Sequence, residues 1–110
     1  MTNSNPPLAA INDRFRRSFL GGEVYLTRGF TALPFLAQAD IIAQVQSFDG
    51  FTEDNDPYGE HDFGAMDHHL AGKVFWKIDY YDLDKERGSE DPLDPAKTCR
   101  VLTILLAEEW

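Results

Sequence analysis

Residues 72–82, GKVFWKIDYYD, decide the predicted fold. Four large side chains, Val74, Trp76, Ile78 and Tyr80, occupy every second position of this stretch. Because successive side chains of a β-strand point to opposite faces, this two-residue period is typical of a strand with one buried face. The sequence therefore predicts a β-strand here, with these four side chains in the hydrophobic core.

Three other stretches are predicted to be strands of the same sheet. Residues 61–67 are joined to the strand at 72–82 by the short connector 68–71, which suits an antiparallel hairpin. Residues 23–28 are predicted to form a short strand. Residues 100–108 are rich in Val, Ile and Leu, and so continuous an apolar run predicts a central strand that is covered on both faces.

Two amphipathic helices are predicted before the hairpin. In the first, Leu8, Ile11, Phe15 and Phe19 recur at spacings of three and four residues, and a pair of glycines follows. Its polar side chains are assigned to the solvent-facing sides: Asn12, Asp13, Arg14, Arg16 and Arg17. The second helix is predicted over residues 36–48, with the core-facing positions Leu36, Ala39, Ile41, Ile42, Val45 and Phe48.

These four strands and two helices, without regular βαβ alternation, predict an α+β fold in which both helices pack on one face of an antiparallel sheet. A chain of 110 residues is long enough for one hydrophobic core, so residues 8–110 are predicted to form a single domain. The polar residues 1–7 contain a Pro-Pro pair and are predicted to be a flexible arm. The charged stretch 82–98 is predicted to be a loop.

Charge and composition exclude several classes of function. The chain has 19 acidic and 10 basic residues and a formal net charge of −9, and clustered Lys and Arg are needed to bind phosphate backbones, so direct nucleic-acid binding is not expected. No apolar run approaches the roughly 20 residues that cross a bilayer, so no membrane association is expected. Cys99 is the only cysteine, which excludes an internal disulfide. The amino-terminal residues lack the pattern of a secretory signal, and we expect a cytoplasmic protein.

A cluster of acidic residues is the main candidate for a functional site. Between Arg28 and Lys73 the chain has eight acidic residues and no Lys or Arg, and most of these acids lie in residues 48–64, FDGFTEDNDPYGEHDFG. Because like charges repel and no base is near in sequence, the loop 49–62 is expected to point outward and to bind a basic surface of a partner protein. The residues predicted to take part are Glu53, Asp54, Asp56, Tyr58, Glu60, His61, Asp62 and Tyr81.

The preferred interpretation is thus a small acidic, non-enzymatic binding or regulatory protein, and three alternatives stay open. Short Asp and Asn side chains bond their own backbone in turns, so the loop can be a self-capped, solvated turn. A divalent cation can be held by Asp54, Asp56, Glu60 and His61, which would make the protein a metal-dependent hydrolase; no other cofactor is expected. A homodimer that pairs an exposed strand edge is compatible with either function.

Three motifs carry a resemblance to a known family. They are NDPYGEHDFG at residues 55–64, WKIDYYD at 76–82 and RVLTILLAEE at 100–109. On these motifs the chain resembles a family of small bacterial proteins that is known only as a domain of unknown function. The resemblance implies a single-domain cytoplasmic protein, and it implies no activity, cofactor or catalytic residue.

Overall fold

The computed structural model of the chain describes residues 6–110, which form three α-helices, four strands and a closing 3₁₀ turn. In chain order these elements are α1 (Pro6–Ser18), β1 (Glu23–Leu26), α2 (Arg28–Thr31), α3 (Phe35–Gln46), β2 (Phe63–His68), β3 (Gly72–Tyr81), β4 (Cys99–Leu106) and the 3₁₀ turn (Ala107–Glu109). Most of the predicted arm, residues 1–7, lies outside the described residues. Pro6 and Pro7 form the start of α1, where the missing N–H of proline leaves no helical hydrogen bond unmade.

The four strands form one sheet in the order β1-β4-β3-β2. Strand β4 is central, as predicted, and it pairs antiparallel with β3 and parallel with β1. Strands β2 and β3 form the predicted antiparallel hairpin. The α+β class with four strands is confirmed, and the sheet is mixed but mostly antiparallel because β1 runs parallel to its neighbour.

The core lies between the helices and one face of the sheet, and Trp76 of β3 is at its centre. Trp76 is fully buried, and its neighbours across the sheet are Ile104 on β4 and Gly64 on β2. A Cβ atom at position 64 would lie 2.3 Å from Nε1 of Trp76, which is too close for any side chain. The predicted inward set of β3 is therefore confirmed, and glycine on β2 makes room for its largest member.

Helix α1 buries two polar side chains that were predicted to face solvent. Asn12 and Arg16 are both 0% exposed. The Arg16 guanidinium donates from Nε to the carbonyl oxygen of Val45 at 3.0 Å and from Nη2 to that of Phe48 at 2.8 Å. These carbonyls lie at the carboxyl end of α3, where backbone acceptors lack partners within the helix. Arg16 is buried because it supplies those hydrogen bonds and so ties α1 to α3.

Of the core positions predicted for the second helix, Ile41 and Val45 are buried and Ile42 and Phe48 pack against the core, but Leu36 and Ala39 do not. Ala37, Ile41 and Val45 are buried at four-residue spacing, whereas Leu36 is 80% exposed and Ala39 is exposed. The helix is apolar on most of its circumference, so periodicity alone cannot choose between adjacent stripes; contact with α1 and the sheet makes the choice. No helix among residues 6–110 is both long and apolar enough to cross a membrane.

Candidate functional site

The acidic loop, residues 49–62, divides into two parts that differ in exposure. Its acidic tip, defined here as Glu53, Asp54 and Tyr58, is exposed to solvent, and the Tyr58 side chain is 60% exposed. Its anchored base is defined as Asp56, Glu60, His61 and Asp62, which are all partly buried. The loop is thus neither wholly solvated nor wholly folded into the body of the domain.

The turn that carries the acidic tip is held by its own polar groups. The backbone N–H of Thr52 donates to Oδ1 of Asn55 at 2.8 Å, and the Asn55 N–H donates to Oγ1 of Thr52 at 3.2 Å. The Asn55 amide nitrogen also donates to the carbonyl oxygen of Gly50 at 2.9 Å. This is the self-capped turn that the Asp- and Asn-rich sequence predicts. Within the described part of the chain, Glu53 and Asp54 form no ion pair.

Asp56 in the anchored base departs from the expectation that the acidic side chains point outward. Its carboxylate is only 7% exposed, and Oδ1 accepts hydrogen bonds from the backbone N–H groups of Glu60 at 3.1 Å and His61 at 3.3 Å. Nε2 of His61 lies 3.7 Å from Oδ2 of the same carboxylate. The negative charge of Asp56 is therefore stabilised inside the loop by peptide amides.

His61 was predicted to begin the strand at residues 61–67, and this was wrong. His61 has a left-handed backbone, with φ of 56°, and it precedes the first residue of β2. Its ring stacks on Phe51 at a centroid distance of 3.9 Å, and Nδ1–H donates to the Asp13 carboxylate at 3.0 Å. Burial raises the pKa of Asp13, but the hydrogen bonds from Arg16 and His61 outweigh burial and lower it overall. The left-handed turn is what directs the imidazole toward α1.

Glu60 and Asp62 form a partly buried pair of acids beside Tyr80. Oδ2 of Asp62 accepts from the Tyr80 hydroxyl at 3.0 Å, and that hydroxyl accepts from the Asn12 amide at 2.8 Å. Burial, reinforced by repulsion from Asp62 and Asp56, raises the pKa of Glu60. Burial and repulsion from Asp56 also raise the pKa of Asp62, although the hydrogen bond from Tyr80 opposes this shift. Burial and the charge of Asp62 also raise the pKa of Tyr80. This pair holds a proton at a higher pH than an exposed carboxyl would.

The four side chains predicted as metal ligands are not gathered at one point. Asp54 is exposed on the acidic tip, whereas the Asp56 carboxylate is turned inward to the amides of the loop. Among residues 6–110, no group of three or more His, Cys, Asp or Glu side chains is placed to hold a metal ion. Tyr81 follows Tyr80 on β3 and so points to the opposite face of the sheet, away from the acidic loop.

The sequence did not predict that four polar residues outside the loop contact this region. They are Asn12, Asp13 and Arg16 on α1 and Arg100 on β4. The Asn12 amide nitrogen donates to the Glu60 carbonyl oxygen at 2.9 Å, and Nε of Arg100 donates to Oδ1 of Asn12 at 2.9 Å. Their spacing contains a signal, since Asn12 and Arg16 continue the four-residue period of a buried stripe. Arg100 similarly falls on the inward register of β4 with Leu102 and Ile104.

Comparison with protein families identifies the chain without assigning an activity. Residues 26–109 match the family described as Protein of unknown function (DUF3768). Comparison with curated proteins and with solved structures gave no significant match. The matched range contains β2, β3, β4 and the acidic loop, and it begins after α1. Because it spans most of the 110 residues, the predicted resemblance is confirmed and the chain belongs to the DUF3768 family.

Proposed function

We propose that this protein is a cytoplasmic, non-enzymatic binding domain that engages a basic surface of a partner protein through the acidic tip of the loop. One observation carries the proposal. The carboxylates of Glu53 and Asp54 are exposed and have no ion-pair partner in residues 6–110, while the turn beneath them is hydrogen-bonded on both sides. A charged group in this state is available to a positive group from another molecule.

The anchored base supports this function because it makes the acidic tip rigid before binding. Asp56 fixes the amides of Glu60 and His61, and the His61 ring is held between Phe51 and the Asp13 carboxylate. A loop that is ordered in the free protein loses less conformational entropy on association. The partner therefore meets a preformed turn that carries two exposed carboxylates.

The charge of the whole molecule favours the same kind of partner. A net charge of −9 attracts a basic surface through long-range electrostatic steering and so raises the association rate. Tyr58, at 60% exposed, adds an aromatic side chain of the type that contributes large contact area in interfaces. The predicted homodimer through a strand edge stays a separate prediction, for which β1 and β2 supply the edges.

The proposal can be tested by affinity capture with a matched control. Wild-type protein, Glu53→Gln with Asp54→Asn, and Asp84→Asn with Glu86→Gln are immobilised and exposed to lysate of the source organism at low and at high salt. Both double variants remove two exposed acidic groups, so they differ only in the place of the lost charge. We expect a basic protein that high salt releases, that the tip variant loses and that the control variant retains. Equal recovery of every protein by the two variants would refute the role of the tip.

A further inference from the structure

A cavity of about 280 Å³ lies between α1, the turn that follows it and the loop before β4. Its side-chain lining consists of the apolar Ile11, Phe15, Leu20 and Pro95 and of the guanidinium-bearing Arg14 and Arg100. The cavity is separate from the acidic loop and shares no lining residue with the pocket at Phe51, Glu53 and His61. Two arginines on one small apolar cavity are notable in a chain with nearly twice as many acids as bases.

Arg100 is a buried cation without an anionic partner. It is 3% exposed, its Nε donates to Oδ1 of Asn12, and its Nη2 donates to the carbonyl oxygen of Pro92. Its guanidinium carbon lies 5.3 Å from the centre of the Tyr80 ring. In the portion of the chain that the structure describes, no carboxylate lies within ion-pair distance of it. A buried charge usually requires a counter-charge, because neutral acceptors replace only part of its hydration.

The remaining guanidinium nitrogen of Arg100 is Nη1. It makes no hydrogen bond to residues 6–110. Nη1 is not among the fully buried side-chain nitrogens that lack a partner in those residues. Arg100 is one of the residues that line the cavity, and its guanidinium retains this one donor that the fold does not use. Guanidinium groups bind carboxylates and phosphates with short, charge-assisted hydrogen bonds.

The rest of the lining indicates the other features of the ligand. Arg14 is exposed at the cavity and forms no ion pair with the described residues, so it adds a second positive charge. Leu20 is 75% exposed at the cavity, although a leucine side chain is stabilised by removal from water. An apolar group that entered the cavity would cover Leu20 and contact Phe15.

The backbone at this position is also strained. Phe19 ends α1 with φ of 60°, a left-handed conformation that glycine or asparagine usually adopts at the end of a helix. This conformation directs Leu20 and Gly21 to the cavity. Strained backbone of this kind is concentrated where a protein shapes a ligand site.

We propose that this cavity binds a small organic anion, with its carboxylate or phosphate group on Nη1 of Arg100 and Arg14 and its apolar body against Phe15 and Leu20. A cavity of about 280 Å³ that is open to solvent at Leu20 suits a compact molecule with one apolar group. The site is independent of the acidic tip, so each proposal can fail without the other.

Titration by two-dimensional amide NMR tests this site with defined probes. Benzoate and phenyl phosphate are the anionic probes, benzamide is the uncharged probe of similar shape, and inorganic phosphate is the anion without an apolar body. We expect saturable shifts at the amides of Phe15, Leu20 and Gly21 with benzoate, phenyl phosphate or both, and the stronger of the two identifies the head group. Inorganic phosphate should bind more weakly than phenyl phosphate, and benzamide should give no saturable shift.

Variants show whether the named residues bind the probe. Arg100→Gln should weaken binding roughly tenfold or more, because a hydrogen bond to a charged group contributes a factor of that size. Leu20→Glu places a negative charge at an exposed position and should weaken binding without affecting the fold. Arg14→Gln should weaken binding, whereas Arg17→Gln, the same charge change on an exposed residue outside the cavity lining, should not. No saturable shift with either anion, equal shifts with benzamide, or unchanged affinity in both Arg100→Gln and Leu20→Glu would overturn the proposal.

Discussion

The protein buries two arginines, Arg16 on α1 and Arg100 on β4, and they differ in how many of their guanidinium nitrogens have partners and in whether one partner is a carboxylate. Arg16 is 0% exposed, and each of its three guanidinium nitrogens has a partner, one of which is the Asp13 carboxylate. Arg100 is 3% exposed and has two neutral acceptors and no carboxylate within residues 6–110. A buried cation whose hydrogen bonds and charge are all matched within the fold, such as Arg16, stabilises the fold. A buried cation without a carboxylate partner, such as Arg100, can bind an anionic ligand. We therefore give Arg16 a structural role and Arg100 a binding role.

The largest effect is expected for Arg16→Met. The substitution removes the guanidinium hydrogen bonds to the carbonyl oxygens of Val45 and Phe48 and to the Asp13 carboxylate, and it leaves that carboxylate without its cationic partner. Removing one partner of a buried ion pair costs about 3–5 kcal/mol of unfolding free energy. Urea denaturation followed by circular dichroism measures this loss. The exposed Arg17→Met should change stability by less than about 0.5 kcal/mol. Similar values for the two variants would remove the structural role of Arg16.

Asn12→Ala should have the second largest effect, because the buried side chain of Asn12 forms three hydrogen bonds, one of them with Arg100. The buried amide bonds the Glu60 carbonyl oxygen, the Tyr80 hydroxyl and the Arg100 guanidinium. Leaving such groups unpaired costs about 1–3 kcal/mol. The same denaturation assay applies, with Asn12→Asp as the companion variant. A carboxylate at position 12 would pair with Arg100 but could not donate to the Glu60 carbonyl oxygen or the Tyr80 hydroxyl, so we expect Asn12→Asp to be destabilising as well. Wild-type stability in Asn12→Ala would contradict the role of this amide.

Arg100→Met should destabilise the protein by only about 1 kcal/mol, far less than Arg16→Met. The substitution removes two hydrogen bonds but also removes the cost of keeping an unpaired charge out of water, and the two effects partly cancel. Burial lowers the pKa of Arg100, because removing its positive charge from water costs free energy. Equilibrium unfolding of the two Met variants side by side gives the comparison directly. A loss as large as that of Arg16→Met would show that Arg100 is a structural residue.

The pH dependence of stability should have opposite signs in the two regions, and it is the smallest effect. Beside Arg16, the pKa of Asp13 is lowered, so the stability it contributes is present above the ordinary carboxyl pKa and is lost as pH falls through the lower, folded value. In the network that reaches Arg100, the pKa of Asp62 is raised. Its contribution is full below the ordinary carboxyl pKa and is lost as pH rises through the higher, folded value.

Asparagine substitutions separate these two contributions. Asp13→Asn should flatten the fall in unfolding free energy on the acid side, and Asp62→Asn should flatten the fall above the ordinary carboxyl pKa while the Asn oxygen still accepts from Tyr80. Unfolding free energies measured across the acidic range, from below to above the ordinary carboxyl pKa, test both. If unfolding free energy changed with pH in the same direction in both variants, the opposite pKa shifts of Asp13 and Asp62 would be contradicted.

The strands could be predicted from the sequence because their hydrophobic pattern is local. The burial of the arginines could not be predicted. Alternation identified β3, and a continuous apolar run identified β4 as the central strand. Helical periodicity counts every arginine as polar and places it in solvent. Arg16 is buried because of carbonyl groups about 30 residues away at the end of α3, and no local pattern encodes that contact. The parallel pairing of β1 with β4 has the same long-range origin.

The acidic loop shows the same limit at smaller scale. The exposed, self-bonded turn follows from its Asp, Asn and Thr residues, so the acidic tip could be predicted. The inward position of Asp56 depends on the backbone amides of Glu60 and His61, which follow the left-handed Gly59. The cavity at Arg100 unites α1 with a loop that contains Pro95, and its parts are separated by most of the chain.

The fully buried Trp76 also makes the domain its own optical probe. Its indole lies 5.1 Å from the Arg16 guanidinium and within 6.0 Å of the rings of Phe48 and Phe51, which lead into the acidic loop. Trp110, the only other tryptophan, is 69% exposed and emits from water. The blue edge of the fluorescence spectrum, which is emitted by the buried Trp76, therefore reports whether the loop is packed on the core. A soluble quencher reduces the emission of the exposed Trp110 but not that of Trp76, so the two signals can be separated without a dye or label.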